Sequence, residues 1–178
     1  NPGAQTFHEV RLVHSIISEF GGTMDCLIVT EDDIFVLDFK FGAGISVEVE
    51  NNKQLLSYAV LAMDTHGRRN IHLTVIQPRR PHHDGPVRHW SPTWADIEDF
   101  ADELIEGVMW YRDTKRQMES GLVTLGDLTS RLVPSTDNCR FCSRNANCPA
   151  QQANITLVHD KRDSDMDEDH LAFVLGND

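Results

Sequence analysis

The sequence predicts an α/β domain built on a mixed β-sheet. Three observations carry that expectation. Residues 23–30 and 34–41 are rich in Ile, Val, Leu and Phe and flank the polar stretch Glu31-Asp32-Asp33, which reads as a β-hairpin. Apolar residues at helical spacing follow at 51–64 and again at 93–119. Between those helices lies another strand-like run, 71–77, so the order is strands, helix, strand, helix.

The elements follow in chain order. Residues 5–14 alternate loosely like a strand, although Val10, Val13 and Ile17 also fit one helical face; the strand is preferred. Gly21-Gly22 is expected to break the chain, and Gly42 with Gly44 to end the second hairpin strand. In 51–64, Asn51 or Asn52 can cap a helix whose apolar face is Leu55, Leu56, Ala59, Val60, Ala62 and Met63. Residues 78–86 form a loop rich in Arg, His and Pro, and 87–90 a short strand. Ser91-Pro92-Thr93 opens the long helix, in which Trp94, Ile97, Phe100, Leu104, Val108 and Tyr111 share a face; Trp94, Trp110 and Tyr111 are read as packing residues. Residues 124–132 suggest a further short helix.

At 178 residues the chain is long enough for a core without disulfide staples. Its apolar and charged fractions, 40% and 25%, are those of a globular protein and exclude collagen, coiled coil and wholesale disorder. No apolar run reaches the roughly 20 residues of a membrane span. No signal peptide is visible either, so the expected location is the cytoplasm of a bacterial cell, or of a phage's host. The opening Asn-Pro-Gly, without Met, suggests part of a longer protein. The net charge of −12 argues mildly against gripping DNA by bulk charge. The bases are clustered, however: Arg68-Arg69, Arg79-Arg80, then Arg112, Lys115 and Arg116.

The hairpin carries the chemistry. Asp38 and Lys40 are two apart on one strand and share a face. With Glu31-Asp32 as the two-residue turn, Asp25 lies opposite Asp38 on that face. Two opposed carboxylates repel each other unless a cation lies between them, and a hard divalent ion such as Mg²⁺ suits oxygen ligands. A bare, solvated hairpin face is the competing reading. Gln54 and Tyr58, at i and i+4 on the next helix, add polar groups to an otherwise apolar element.

Three segments then resemble one family. They are Gly22-Thr23-Met24-Asp25, Val36-Leu37-Asp38-Phe39-Lys40-Phe41-Gly42 and Gln54-Leu55-Leu56-Ser57-Tyr58-Ala59. In this order they resemble the PD-(D/E)XK nuclease superfamily, most closely the RecB-type nuclease domain of AddB-type, CRISPR-associated and phage exonucleases. The resemblance spans about residues 5 to 150. It implies a restriction-endonuclease-like core, a mixed central β-sheet flanked by helices. It also implies a metal-dependent deoxyribonuclease, an exonuclease of recombination, repair or phage DNA processing. By position, Asp25 and Asp38 match the Mg²⁺ or Mn²⁺ carboxylates, the Phe39 carbonyl a backbone ligand and Lys40 the catalytic lysine. Gln54 and Tyr58 match the residues that orient DNA, and Glu9 falls near a further acidic position. His8 and His14 are candidates by type for the family's metal-site histidine, which usually comes from an earlier helix. That helix is absent here, and a nuclease domain over 1–150 lacking an N-terminal part is the expected organisation, with an acidic tail over 151–178.

Cys139, Cys142 and Cys148-Pro149 resemble the C-terminal part of the iron–sulfur motif in the same branch, which implies a [4Fe-4S] cluster in the intact protein. The upstream cysteine of that motif is missing. A Cys3His zinc site using His159, or three free thiols, are the alternatives.

Weaker signals complete the pass. Arg79-Arg80-Pro81-His82-His83 could touch a DNA backbone or be a solvated loop. Asn154-Ile155-Thr156 is a formal glycosylation sequon, read as chance. Residues 163–169 imitate a calcium loop but lack its glycine and its final glutamate, so the tail is read as an acidic, partner-binding or DNA-mimicking segment. The partners expected are therefore DNA and a protein partner for the tail, with no membrane. A catalytically inactive nucleic-acid-binding or structural module of the same fold is the alternative function.

Overall fold

A computed structural model describes residues 3–42 and 44–153. The acidic tail beyond 153, the Asn154 sequon, His159 and the calcium-like segment lie outside the described residues. The chain divides into two compact units, Asn1–Val108 and Met109–Asp178.

The first unit is an α/β fold on a five-stranded mixed sheet. Its strands are β1 (Gln5–Val13), β2 (Gly21–Val29), β3 (Asp33–Phe39), β4 (Asn70–Ile76) and β5 (Val87–Trp90), side by side in chain order. All neighbours are antiparallel except β3 and β4, which run parallel and therefore need a crossover. Helix α1 (Lys53–His66) is that crossover. Leu55, Leu56, Ala59, Leu61 and Ala62 of α1 are buried in one core with Leu27, Val29, Ile34, Val36, Ile71, Leu73 and Val75 of the sheet. Asn52, not Asn51, is the cap: its Oδ1 accepts from the Gln54 and Leu55 N–H groups at 3.1 Å each, so the helix begins two residues later than expected. Gly67, at φ +83°, ends it by donating to the Met63 carbonyl.

The hairpin turn is the one expected. The Thr30 N–H donates to the Asp33 carbonyl, and the Asp33 N–H to Thr30 Oγ1, both at 2.9 Å, leaving Glu31 and Asp32 as the turn. The glycine pair is a correction. Gly21 and Gly22 do not break the chain; they lie inside β2, paired with Val13 and Leu12. Gly22 is there for close approach: a Cβ on it would sit 2.7 Å from Tyr58 Cε1. The chain reverses earlier instead, where the His14 N–H donates to the Phe20 carbonyl.

Helix α2 (Trp94–Glu119) opens with a reciprocal cap. The Thr93 N–H donates to Asp96 Oδ2, and the Asp96 N–H returns to Thr93 Oγ1. Its first turns run beside α1, with ion pairs Lys53–Glu103 and Arg68–Glu98. Ile97 and Phe100 join the core, and the Arg68 guanidinium lies 3.9 Å over the Trp94 ring.

In the second unit, packing by Trp110 and Tyr111 is corrected: they are 43% and 50% exposed. Arg131 lies 5.5 Å over the Trp110 ring. The helix expected at 124–132 reduces to one 3₁₀ turn, Thr129–Arg131. There the Thr124 N–H and hydroxyl donate to the Asp127 carboxylate, as Thr93 does to Asp96 at the start of α2, but the helix does not continue. A four-residue helix α3 (Thr136–Cys139) and a 3₁₀ turn (Asn145–Asn147) carry the cysteine segment. No helix among the described residues is long and apolar enough to cross a membrane.

Candidate active site

The register of three strands aligns three acidic residues, although oxygens of all three do not come within 4.8 Å of one another. Cys26 pairs with Leu37, and one step further along that ladder Asp25 is level with Asp38. On the other side, His8↔Cys26 and Val10↔Met24 set Glu9 level with Asp25. Glu9, Asp25 and Asp38 thus form a row across β1, β2 and β3.

The hydrophobic pattern breaks at this row. On β1, Phe7 packs on the core, and so do Val10 and Leu12, a step of three rather than two. On β2, Leu27 and Val29 face the core on odd numbers, whereas Met24 is fully buried and Gly22 abuts Tyr58 on even ones. Glu9 supplies the irregularity, since it adopts φ +49°, a left-handed conformation uncommon for a residue with a Cβ. Glu9 itself is exposed.

Two carboxylates have defined surroundings. Asp25 Oδ2 accepts the Phe39 N–H at 2.6 Å, a bond across the open end of the hairpin. Asp38 is 4% exposed. Its Oδ2 lies 2.9 Å from Lys40 Nζ, its ion-pair partner. Burial pushes the Asp38 carboxyl above the usual carboxylate range, and the charge of Asp25 adds to this, while Lys40 opposes it. Burial, then Asp25, likewise raises the Cys26 thiol.

From Asp38 a chain of polar contacts reaches into α1. Lys40 Nζ donates to Gln54 Oε1 at 2.7 Å, and Gln54 Nε2 donates to the Tyr58 hydroxyl at 2.8 Å. Helical spacing puts Gln54 directly over Tyr58, and the absent Cβ of Gly22 makes room for the ring. Asp25, Asp38, Lys40, Gln54 and Tyr58 therefore come together at the end of β3. Phe39, between Asp38 and Lys40, is the last residue of β3.

Other residues stand apart from this network. The Arg79 guanidinium lies 4.9 Å over the Phe41 ring, one residue beyond Lys40, whereas Arg80 is simply exposed. His14 is engaged elsewhere: its Nδ1 accepts the Ile16 and Ile17 N–H groups and its Nε2 is 3.9 Å from Asp64. His8 is exposed on β1. In the second unit, the Cys142 N–H donates to the Cys139 carbonyl, and Cys139 Sγ is 3.9 Å from Gln151 Oε1. Among the described residues only His82, His83 and Asp84 bring three His, Cys, Asp or Glu ligand atoms within 4.8 Å of one another, so the three sulfurs are not gathered at single-ion spacing.

Sequence reasoning missed a buried pair that positions the loop after Lys40. Gln77 is 2% exposed and Arg88 3%. Gln77 donates to the Ile45 carbonyl at 2.8 Å and accepts from the Val47 N–H and from Arg88. Arg88 also donates to the Val47 and Gly85 carbonyls. A polar residue ending an apolar strand was the available signal.

Comparison with solved structures gives weak likenesses. One is a crystal structure of SSO0001, 14% identical, with a TM-score of 0.40, over 82% of this chain and 60% of that one. Another is an alkaline exonuclease, LHK-Exo, from Laribacter hongkongensis, 15% identical, with a TM-score of 0.33, over 65% of this chain and 64% of that one. The chain thus spans less than two thirds of either protein, and at such scores neither likeness bears on function. A family model does match nearly throughout: over residues 6–177 the chain belongs to DUF2800, described as a protein of unknown function.

Proposed function

We propose that this chain is a metal-dependent deoxyribonuclease, an exonuclease whose reaction centre is Asp25, Asp38 and Lys40. One observation carries the reading: the buried Asp38 carboxylate lies level with a second one, Asp25, with Lys40 Nζ 2.9 Å from its Oδ2. Two carboxylates so placed repel each other, and Lys40 sets one positive charge against two negative ones, which leaves room for a divalent cation. Asp25, Asp38 and the Phe39 carbonyl would hold Mg²⁺ or Mn²⁺, oxygen ligands of the kind these ions take. When bound, such an ion neutralises phosphate charge and lowers the pKa of water.

The side chains have defined parts. Lys40 has three N–H donors. One faces Asp38 and one Gln54, which leaves the third for the attacking water or a phosphate oxygen. Gln54 accepts from Lys40 and donates once to Tyr58, so one amide N–H remains to orient a phosphate. Arg79 and Arg80 would meet the DNA backbone alongside. Glu9 stands level with the carboxylates as a further acidic group.

The test is a cleavage assay with Mn²⁺ or Mg²⁺ on end-labelled linear and circular DNA, with Lys40→Ala and Asp38→Ala beside the wild type. Metal-dependent loss of linear DNA, abolished in both variants, is expected. Wild-type protein that leaves every substrate intact would favour the inactive module instead, and cleavage of circles would make it an endonuclease.

A further inference from the structure

A second group of ligands lies in the β4–β5 loop, independent of the reading above. Asp84 Oδ2 is 3.0 Å from His83 Nε2 and 3.8 Å from His82 Nδ1. One ring nitrogen from each histidine and one Asp84 oxygen lie within 4.8 Å of one another. His82 is held in place: its side chain is 4% exposed, and its Nε2 is 3.0 Å from Glu48 Oε1. That contact fixes the tautomer. Glu48 accepts the Nε2 proton and leaves the Nδ1 lone pair facing Asp84, the carboxylate–histidine arrangement that stands behind many metal ligands. The Asp84 N–H now donates to that Nδ1 at 3.1 Å and would give way to an ion.

We propose that His82, His83 and Asp84, with Glu48 behind His82, form a binding site for a divalent transition-metal ion of the zinc class. Two imidazoles favour zinc over magnesium. Three protein ligands leave a fourth tetrahedral position to water. The site opens on a cleft of about 690 Å³ lined by Glu48, Glu50, His83, Asp84, Arg88 and His89. Three carboxylates there outweigh the single Arg88 guanidinium. The Glu48–His82 contact joins the loop to the segment leading into α1, where the Glu48 carbonyl accepts from Asn52, the cap of that helix, so the ion would sit on a braced ligand.

The test is Zn²⁺ titration calorimetry on the full chain, with Co²⁺ absorption as a second readout. The variants are His83→Ala, Asp84→Asn, Glu48→Gln and Asp38→Asn. His83 is 78% exposed, so its loss spares the fold. One Zn²⁺ equivalent should vanish in His83→Ala and Asp84→Asn and persist in Asp38→Asn. Glu48→Gln should weaken it about 10- to 100-fold. Bound Co²⁺ should show ligand-field bands that disappear with His83, apart from thiolate charge-transfer bands arising at the cysteines. Equal Zn²⁺ stoichiometry and affinity in wild type and His83→Ala would overturn the proposal. So would a Co²⁺ spectrum that the loop variants leave unchanged.

Discussion

At the scale of single residues, the site depends on what is absent as much as on what is present. Gly22 has no Cβ, so the Tyr58 ring can close over β2 and its hydroxyl can accept from Gln54. Gly22→Ala places a methyl 2.7 Å from that ring and should cost about 1–3 kcal/mol in chemical denaturation. Tyr58→Phe removes the hydroxyl that accepts from Gln54. That should cost about 1 kcal/mol, less than the glycine variant, because the amide sits near solvent. An inverted order of the two effects would mean that the ring is not confined as described. The charges of Asp25, Asp38 and Lys40 were legible in the sequence because their spacing alone fixes a shared face. Glu9 was less so: it came only from the resemblance, and its φ of +49° follows from no pattern in the sequence.

At the scale of elements, two contacts decide how α1 sits. Asn52 caps it, and Asn52→Ala should lower stability by about 1 kcal/mol, read as a lower denaturation midpoint. Near its other end, Asp64 accepts from the Ser15 N–H and hydroxyl at 2.7 Å each, tying the β1–β2 connection to the helix. The Ser15 hydroxyl, then its N–H and the nearby His14, hold the Asp64 carboxyl below the usual carboxylate range. Its folded pKa is therefore lower than its unfolded one. The contribution is complete above the ordinary aspartate pKa of about 4 and is lost as pH falls through the folded value. Wild type should melt above Asp64→Asn at pH 7, and the gap should close in strong acid. A gap that widens on acidification would contradict the bond.

Element types were legible wherever periodicity was strong, as in the hairpin, α1, β4, β5 and α2. One misreading had a local cause. A glycine pair signals a turn in isolation, yet here it serves a tyrosine packed from another element. The apolar spacing and the Thr124–Asp127 cap both suggest a helix at 124–132, and nothing in the structure explains why only one turn forms.

At the scale of the whole molecule, a mixed sheet with one parallel pair requires the α1 crossover, and that crossover brings Gln54 over the strand that carries Lys40. The topology thus joins residues from two hairpin strands and one helix into a single polar chain. The sequence made the members of this chain legible through spacing and order. The buried Gln77–Arg88 brace and the partner of the loop histidines depend on contacts between distant segments, which Gln77 at the end of an apolar strand and the His82-His83 pair only hint at. The central claim is that this polar chain performs metal-dependent hydrolysis of DNA. Its most direct test pairs Mn²⁺ binding, followed by electron paramagnetic resonance, with single-turnover DNA cleavage in wild type, Lys40→Ala and Asp38→Asn. Asp38→Asn should lose both binding and cleavage. Lys40→Ala should keep the ion and cleave at least 100-fold more slowly, the scale of a lost transition-state donor. Cleavage by Lys40→Ala at the wild-type rate, or Mn²⁺ binding unaffected by Asp38→Asn, would contradict the account.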